Sequence, residues 1–510
     1  MSNPYESPKS TEAEMVSGPP KKPSHRDHGE LPDWETGDVP EPLPFSVRNV
    51  FKTIGPGAIL LAASIGGGEW IVGPMTAVKY GTGILWVATV AIFFQMIFNL
   101  ETIRYTLATG EPILTGFMRL KPGPKFWGGL FIVLGVCQLA VPALAAGCAN
   151  VLFAAAMTRE PGPTDGRAIM WITLAMVAVA IVLLLSGKSV EKTLERLSWG
   201  MIVFIMTFLL IANFLFVPAE VWGRTAVGFL VPQPLPKGVD IILLSVFAAT
   251  AGSGGLGNLA ISNWSRDKGL AMGKYVGGIA GALADDHATL APVGWTFIPT
   301  AENVRRWRTW WYYTLIDQSV LWACGCVIGM YLNVNLALAI VPEGTELPGY
   351  SAGAFQANHM AKSLWVGFWG LALLNGFWIL FSTQLGNMDC LARVVCDTLW
   401  AGYPSAQRWR PAVLYATLLI GFAIFGSFAL LSGKNAVELF KILGFVANPI
   451  LAISAFAVLR VNTRFLPQEV RPEWWRCIAL FTAGVLFTIL SLASFYDLMV
   501  KTFPTASAGT

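Results

Sequence analysis

Residues 60–74 read LLAASIGGGEWIVGP: three consecutive glycines, Gly66, Gly67 and Gly68, and then a carboxylate, Glu69, inside a strongly apolar run. A glycine within a helix costs about 1 kcal/mol relative to alanine. A charged side chain at the centre of a bilayer costs roughly 2.5–3.5 kcal/mol on insertion scales. Both costs fall on one spot, so the stretch poses a question of purpose if the run around it crosses a membrane.

The composition says that it does. The chain has 510 residues, 54% hydrophobic and 13% charged, with a mean hydropathy of +0.57. Soluble domains carry about 25% charged residues. Repeated apolar runs of about 20 residues match a hydrocarbon core of about 30 Å. They predict an all-α integral membrane protein with about eleven transmembrane helices. The odd count puts the termini on opposite sides. Lys and Arg are concentrated in the loops that are internal if the N-terminus is cytosolic, Arg305, Arg306, Arg308, Arg464, Arg471 and Arg476 among them. The positive-inside bias therefore predicts a cytosolic N-terminus and an external C-terminus, in what is expected to be the cell membrane.

Residues 1–45 differ from the rest, being rich in Pro, Glu, Ser and Lys and poor in aliphatic side chains. They have no hydrophobic stretch of a signal peptide and are expected to form a disordered cytosolic tail. Residues 46–505 form the membrane domain. The seven cysteines lie in or beside apolar runs without metal-binding spacing and read as small buried hydrophobes. The chain holds four histidines, His25, His28, His287 and His359. It shows no nucleophile with a nearby base, no phosphate loop and no dinucleotide motif, so an enzyme is not expected and no cofactor is implied. The net charge of +4 implies no nucleic acid. The expected partners are the lipid bilayer and a transported ion or small solute, and nothing bears on oligomeric state.

The sixth apolar run is interrupted in the same way as the first, by ATAGSGGLGNLAISNW, with Gly252, Gly254, Gly255 and Gly257 around Ser253. Non-helical backbone at membrane depth is tolerated only where protein or a water-filled cavity satisfies its polar groups. Glycine-interrupted spans in corresponding positions of two halves point to the binding site of an inverted-repeat transporter. Close helix packing through small residues is the competing explanation, but it does not account for Gly-Gly-Gly-Glu answered by a second glycine cluster. The glycines are therefore expected to unwind both helices around a substrate, with Glu69 supplying charge. A carboxylate at the N-terminus of an outer half-helix would gain only about 0.3–1 kcal/mol from the dipole, which is less than its insertion cost.

Around these residues the chain resembles the Nramp family of divalent-metal transporters. The resemblance is carried best by IGPGAILLAASIGGGEWIVGPMTAVKYGTGILWVATVAIFFQMIFNLETIRYTLATGE, with Gly55–Pro56, Tyr80–Gly81 and the LATGE ending at family positions. QLAVPALAAGCANVLF and ALLNGFWILFSTQLGNMDCLARVV align more loosely, and the likeness extends over most of residues 50–460. It implies a LeuT-like 5+5 inverted repeat with broken helices 1 and 6. Repeat one runs over about 53–217, repeat two over about 239–459, and an extra helix over about 475–499.

The departures fall on the functional positions. The family's metal motif Asp-Pro-Gly-Asn lands on Gly66, Gly67, Gly68 and Glu69, so the liganding Asp is lost. A carboxylate reappears three residues on, on the same helix face. The family's Met-Pro-His falls on Gly252, Ser253 and Gly254. A metal site of Glu69, Ser253 and backbone carbonyls has no thioether, which favours hard cations such as Mg²⁺, Ca²⁺ or Mn²⁺ over soft ones. The family's proton-carrying Asp and Glu of span three align with Gln138 and Val141, which leaves proton coupling doubtful.

Four further places are singled out. Asp317, in the first third of span seven, either lines a pathway or sits near the interface. Lys441, in span ten, is either a counter-charge to Glu69 or a snorkelling side chain. Glu101 and Arg104 are spaced for an intrahelical pair. Asp285, Asp286 and His287, in the long connection over 264–307, read as a solvated loop rather than a metal site. Two functions stay open: transport of a divalent metal cation by alternating access, and transport of an amino acid or other small organic solute. In the second, the amides of the GSGG segment, with Gly254 and Gly255, would hold a substrate carboxylate.

Overall fold

The computed structural model describes residues 29–159, 161–187, 189–279, 281, 290–341, 351–430 and 436–502. Among them ten helices are long and apolar enough to cross a membrane. Spans one to five are Pro56–Tyr80, Thr82–Thr109, Pro124–Met157, Gly166–Leu185 and Val190–Phe216. Spans seven to nine are Ala301–Ile340, Gly367–Gly402 and Pro411–Leu430. Span ten lies within Ala436–Phe465 and span eleven within Trp474–Thr502. The expected sixth span consists of two short helices, Ile241–Thr250 and Leu256–Asp267. Asp285, Asp286 and His287 lie outside the described residues.

Burial sorts the spans. In the most apolar stretch of span one 89% of residues are buried inside the protein, against 22% in spans four and nine. A helix that is apolar all round belongs in a core, and span one is that core; spans four and nine form the lipid-facing rim. Local chemistry sets the ends. Pro56 occupies the first turn of span one, where its missing N–H costs nothing. Gly110, at φ 67°, closes span two in the left-handed conformation that glycine adopts freely. Ser189, Asp240 and Thr300 cap spans five, six and seven with side-chain oxygens.

The two interruptions take different forms. In span six the helix is lost between Thr250 and Leu256, with Gly252, Gly254 and Gly255 at φ 102°, 64° and 91°. Those angles suit glycine. In span one the chain stays helical, but Ile65–Val72 is π-helix, bounded by α-helix on both sides. The unwinding expected of GGGE is thus a widening of the helix, a form frequent at functional sites.

Of the segment 1–45 expected to be disordered, residues 1–28 lie outside the described residues and the rest is ordered. Residues 29–45 are laid against the body of the protein. Glu35–Thr36 pairs in parallel with Trp295–Thr296. The Val39 amide donates to Asn303 Oδ1 at 3.0 Å, and Trp310 Nε1 and the Tyr313 hydroxyl donate to the carbonyls of Pro40 and Pro44, both at 2.9 Å. Arg119 anchors the strap. Its guanidinium lies 4.4 Å from the Trp34 ring centroid, donates to the Pro32 carbonyl at 2.9 Å and pairs with buried Glu111 at 2.5 Å.

Burial raises the Glu111 carboxyl, but the Arg119 guanidinium and its hydrogen bonds override this and hold it below the usual glutamate range. A depressed carboxylate contributes stability that is present above its unfolded pKa of about 4.3 and is lost as pH falls through the folded value. Arg119→Leu leaves a buried charge unpaired, a loss of about 3–5 kcal/mol. Thermal unfolding in detergent should show that loss at pH 7, and the variant's acid-side fall should be smaller than that of the wild type.

Candidate functional site

The site is built where span one meets the break in span six. Glu69 is fully buried. Its Oε1 accepts a hydrogen bond from the Gly252 amide at 3.1 Å. Its Oε2 has no hydrogen-bond partner, and the thiol of Cys326, from span seven, faces the carboxylate. Among the described residues no Lys or Arg pairs with Glu69, and no group of three His, Cys, Asp or Glu could hold a metal ion.

Glycine is needed here for closeness. A Cβ on Gly68 would overlap the Thr250 carbonyl, and one on Gly66 would overlap Thr383 Oγ1 from span eight. The Gly66 amide donates to that same hydroxyl at 2.9 Å. Thr383 and Ser382 in turn donate to the Ala62 carbonyl at 3.2 and 2.9 Å. Span eight therefore satisfies the backbone that the π-helical turn leaves over. Gly67 is buried within the same turn.

Two glutamines satisfy the span-six break. Gln95, from span two, donates through Nε2 to the carbonyls of Ala249 and Ala251 at 3.2 and 2.8 Å. Its Oε1 accepts from the amides of Ser253 and Gly254 at 3.2 and 3.3 Å. Gln138, from span three, donates to the Gly254 carbonyl and accepts from the Leu256 amide at 3.0 Å. The Gly255 amide donates to Asn258 Oδ1 at 3.0 Å. The amides of the GSGG segment, expected to be open for a substrate carboxylate, are thus occupied by the protein's own side chains. Ser253 Oγ is the exception in this segment, a buried hydroxyl oxygen with no partner.

The structure brings Gly66, Gly68, Glu69, Gly252, Ser253, Gly254, Gly255 and Gln138 into one region. Lys441 is not among them. It is exposed, and the hydrogen bond to Glu69 comes from Gly252 instead, so the counter-charge reading finds no contact. Asp317 is 4% exposed, so it is no interfacial side chain. It accepts from the amides of Gly55 and Gly57, at the start of span one, at 3.1 and 2.7 Å. Glu101 and Arg104 pair at 2.8 Å, as their spacing predicts. Gln95 and Thr383 are not singled out by the sequence, and Cys326, read there as a small buried hydrophobe, is buried but faces Glu69. Gln95 and Asn99 stand one turn apart in an otherwise apolar run, and polar residues at membrane depth are costly enough to carry that signal.

Comparison with known proteins now has a geometry to rest on. No family model matches the chain. An uncharacterized protein of Pasteurella multocida is 26% identical over 188 residues, which is 36% of this chain and 43% of that relative. A crystal structure of a manganese transporter variant from Eremococcus coleocola overlays with a TM-score of 0.64 at 13% identity, covering 94% of this chain and 93% of that one. The same transporter in complex with an aromatic bis-isothiourea compound gives 0.63 at 14% identity, covering 94% and 93%. MhsT in complex with L-phenylalanine gives 0.50 at 14% identity, covering 86% and 98%.

The close approach at Gly68 is testable in the fold itself. Gly68→Ala should cost about 1–3 kcal/mol by overpacking, with a lowered thermal midpoint in detergent. Gly200→Ala, at a span-five position with open space around the missing Cβ, should hold or raise that midpoint by up to about 1 kcal/mol. The chain has the LeuT-like transporter fold, two halves of five spans with an added eleventh, shared over nearly its whole length with the manganese transporter.

Proposed function

We propose that the chain transports a cation across the membrane by alternating access, with Glu69 as the charged ligand and a hard divalent metal of the Mg²⁺, Mn²⁺ or Ca²⁺ kind as the substrate. One observation carries the reading: a fully buried carboxylate has one oxygen unpartnered and no basic side chain paired with it among the described residues. An isolated buried carboxylate is strongly disfavoured and is relieved either by a proton or by a bound cation; this reading takes the cation as the guest that displaces the proton. Ser253, the residue after Gly252, has an unpartnered Oγ and is the candidate for a second hard oxygen. The carboxylate and hydroxyl oxygens favour hard ions, while the Cys326 thiol beside Glu69 is a soft group that weakens that preference. Proton coupling through span three has no support, since Gln138 does not titrate and is engaged in holding the backbone.

A second reading is favoured by the scarcity of ligands. A single carboxylate is a poor cage for a dication but is sufficient for an ammonium group. This keeps an amine-bearing organic solute in play on the same fold. The occupied GSGG amides count against a grip on that solute's carboxylate. Both readings take the N-terminus as cytosolic and the cell membrane as the site of action.

The test is uptake of Mn²⁺ and Mg²⁺ into proteoliposomes, wild type beside Glu69→Gln, with and without a pH gradient. The expected result is saturable uptake that Glu69→Gln lowers at least a hundredfold while leaving thermal stability near wild type. A pH gradient should change the rate less than twofold. Uptake by Glu69→Gln at the wild-type rate overturns the assignment of Glu69. No uptake of either ion by the wild type, with uptake of a primary amine that depends on Glu69, establishes the second reading.

A further inference from the structure

We propose that Asp317 is a latch on the N-terminal end of span one, and that a line of side-chain amides ties this latch to the break in span six. The proposal does not depend on the identity of the transported substrate.

The latch is polar and local. Span one begins Gly55-Pro56-Gly57, with no side chain at either point that Asp317 holds. A Cβ on Gly57 would lie 2.6 Å from the Asp317 carbonyl oxygen and 2.8 Å from its carboxyl carbon, so the contact exists only because the residue is glycine. The free amides of a helix start favour an anion, through hydrogen bonding and the helix dipole together. Asp317 supplies that anion from a neighbouring span. It stands at the first position of the π-helical turn Asp317–Ala323 in span seven. A second polar contact closes the same end: Glu195 from span five and Lys268, just past span six, pair at 2.5 Å, and both would crowd a Cβ on Gly55. That pair is 15–16% exposed, so water reaches the edge of the latch.

The connecting line runs through four residues. The Gly255 amide donates to Asn258 Oδ1 at 3.0 Å. Asn258 Nδ2 donates to Asn99 Oδ1 at 2.9 Å, and Asn99 Nδ2 donates to Gln318 Oε1 at 3.1 Å. Gln318 Nε2 then donates to Asp317 Oδ2 at 2.9 Å, the oxygen that accepts from Gly57. Every link is buried. Each amide gives with its nitrogen and receives with its oxygen, in one direction, from the break to the latch. Turning any one of them orphans two buried groups, and chains of this kind strengthen one another in a low dielectric. Both ends of the line are glycine backbone, where the main chain can change conformation without moving a side chain. A rearrangement at Gly255 therefore reaches the hold on Gly57 through a fixed sequence of donors and acceptors. Physical continuity is not coupling in itself, so the test measures coupling directly.

Hydrogen–deuterium exchange of the full chain in lipid nanodiscs would follow peptides over residues 54–61, with Pro411–Leu430 as the folding control. Asp317→Asn should raise exchange over 54–61 at least tenfold, and Gly57→Ala should act in the same direction by pushing the carboxylate away. Asn258→Leu, at the far end of the line, should raise exchange over 54–61 at least threefold. In the double variant Asn258→Leu/Asp317→Asn, exchange should be no faster than in Asp317→Asn alone, since contacts in series are not additive. If Asp317→Asn and Gly57→Ala both stay within twofold of wild type, there is no latch. If the double variant shows the product of the single effects, the line does not connect. Should Asp317→Asn fail to assemble, Gly57→Ala alone and paired with Asn258→Leu gives the same two readings.

Discussion

Backbone groups freed inside a membrane have to be bonded by the protein, and the arrangement of this chain follows from that constraint. The break at residues 251–255 exposes amides and carbonyls on three sides. Gln95 and Gln138 serve both kinds at once, since one primary amide donates and accepts. Spans two and three must therefore lie against span six at a set depth, and Gly68 lets span one close the remaining side. The amides of the break are therefore bonded by the protein before any substrate arrives. Among the side chains here, one carboxylate oxygen on Glu69 and the hydroxyl oxygen of Ser253 have no partner.

That remainder reshapes the comparison with the resembled family. At the positions that the resemblance sets against the family's thioether, imidazole and aspartate this chain has glycines, with Glu69 nearby, and Gln95 and Gln138 bond the broken backbone beside them. The fold is shared with the manganese transporter of Eremococcus coleocola. The two glycine-rich stretches, alike in composition, fold differently for a physical reason. Consecutive glycines without a positive-φ position can stay helical if a neighbouring hydroxyl takes the displaced amide, as Thr383 does for Gly66. In span six the positive φ at Gly252, Gly254 and Gly255 rules helix out.

Charge away from the centre has a structural use as well. Asp317, Arg119 and Glu111 are buried and fully engaged, and each ties segments that are far apart in the chain. Asp317 joins span seven to the start of span one, and Arg119 fastens the N-terminal strap through Trp34 and the Pro32 carbonyl. Intramembrane or buried charge is therefore an ambiguous signal. Glu69 and Asp317 look alike in the sequence, and the hydrogen bonds each accepts tell them apart: one backbone amide for Glu69, two backbone amides and a side-chain amide for Asp317.

The membrane class, the span count, the pairing of spans one and six and the placing of Glu69 at the centre were legible in the sequence, because apolar run length and clustered glycines are local properties. The strap over 29–45 was not legible, since its polar, proline-rich composition looks the same whether it is free or docked on Asn303, Trp310 and Tyr313. Nor were the roles of Gln95, Asn99 and Thr383, which depend on partners 150 to 320 positions away in the chain. A sequence states which polar groups must be satisfied at membrane depth. Only the tertiary structure decides which distant residue does it, because a hydrogen bond requires two atoms to meet at about 3 Å, and packing alone brings them there.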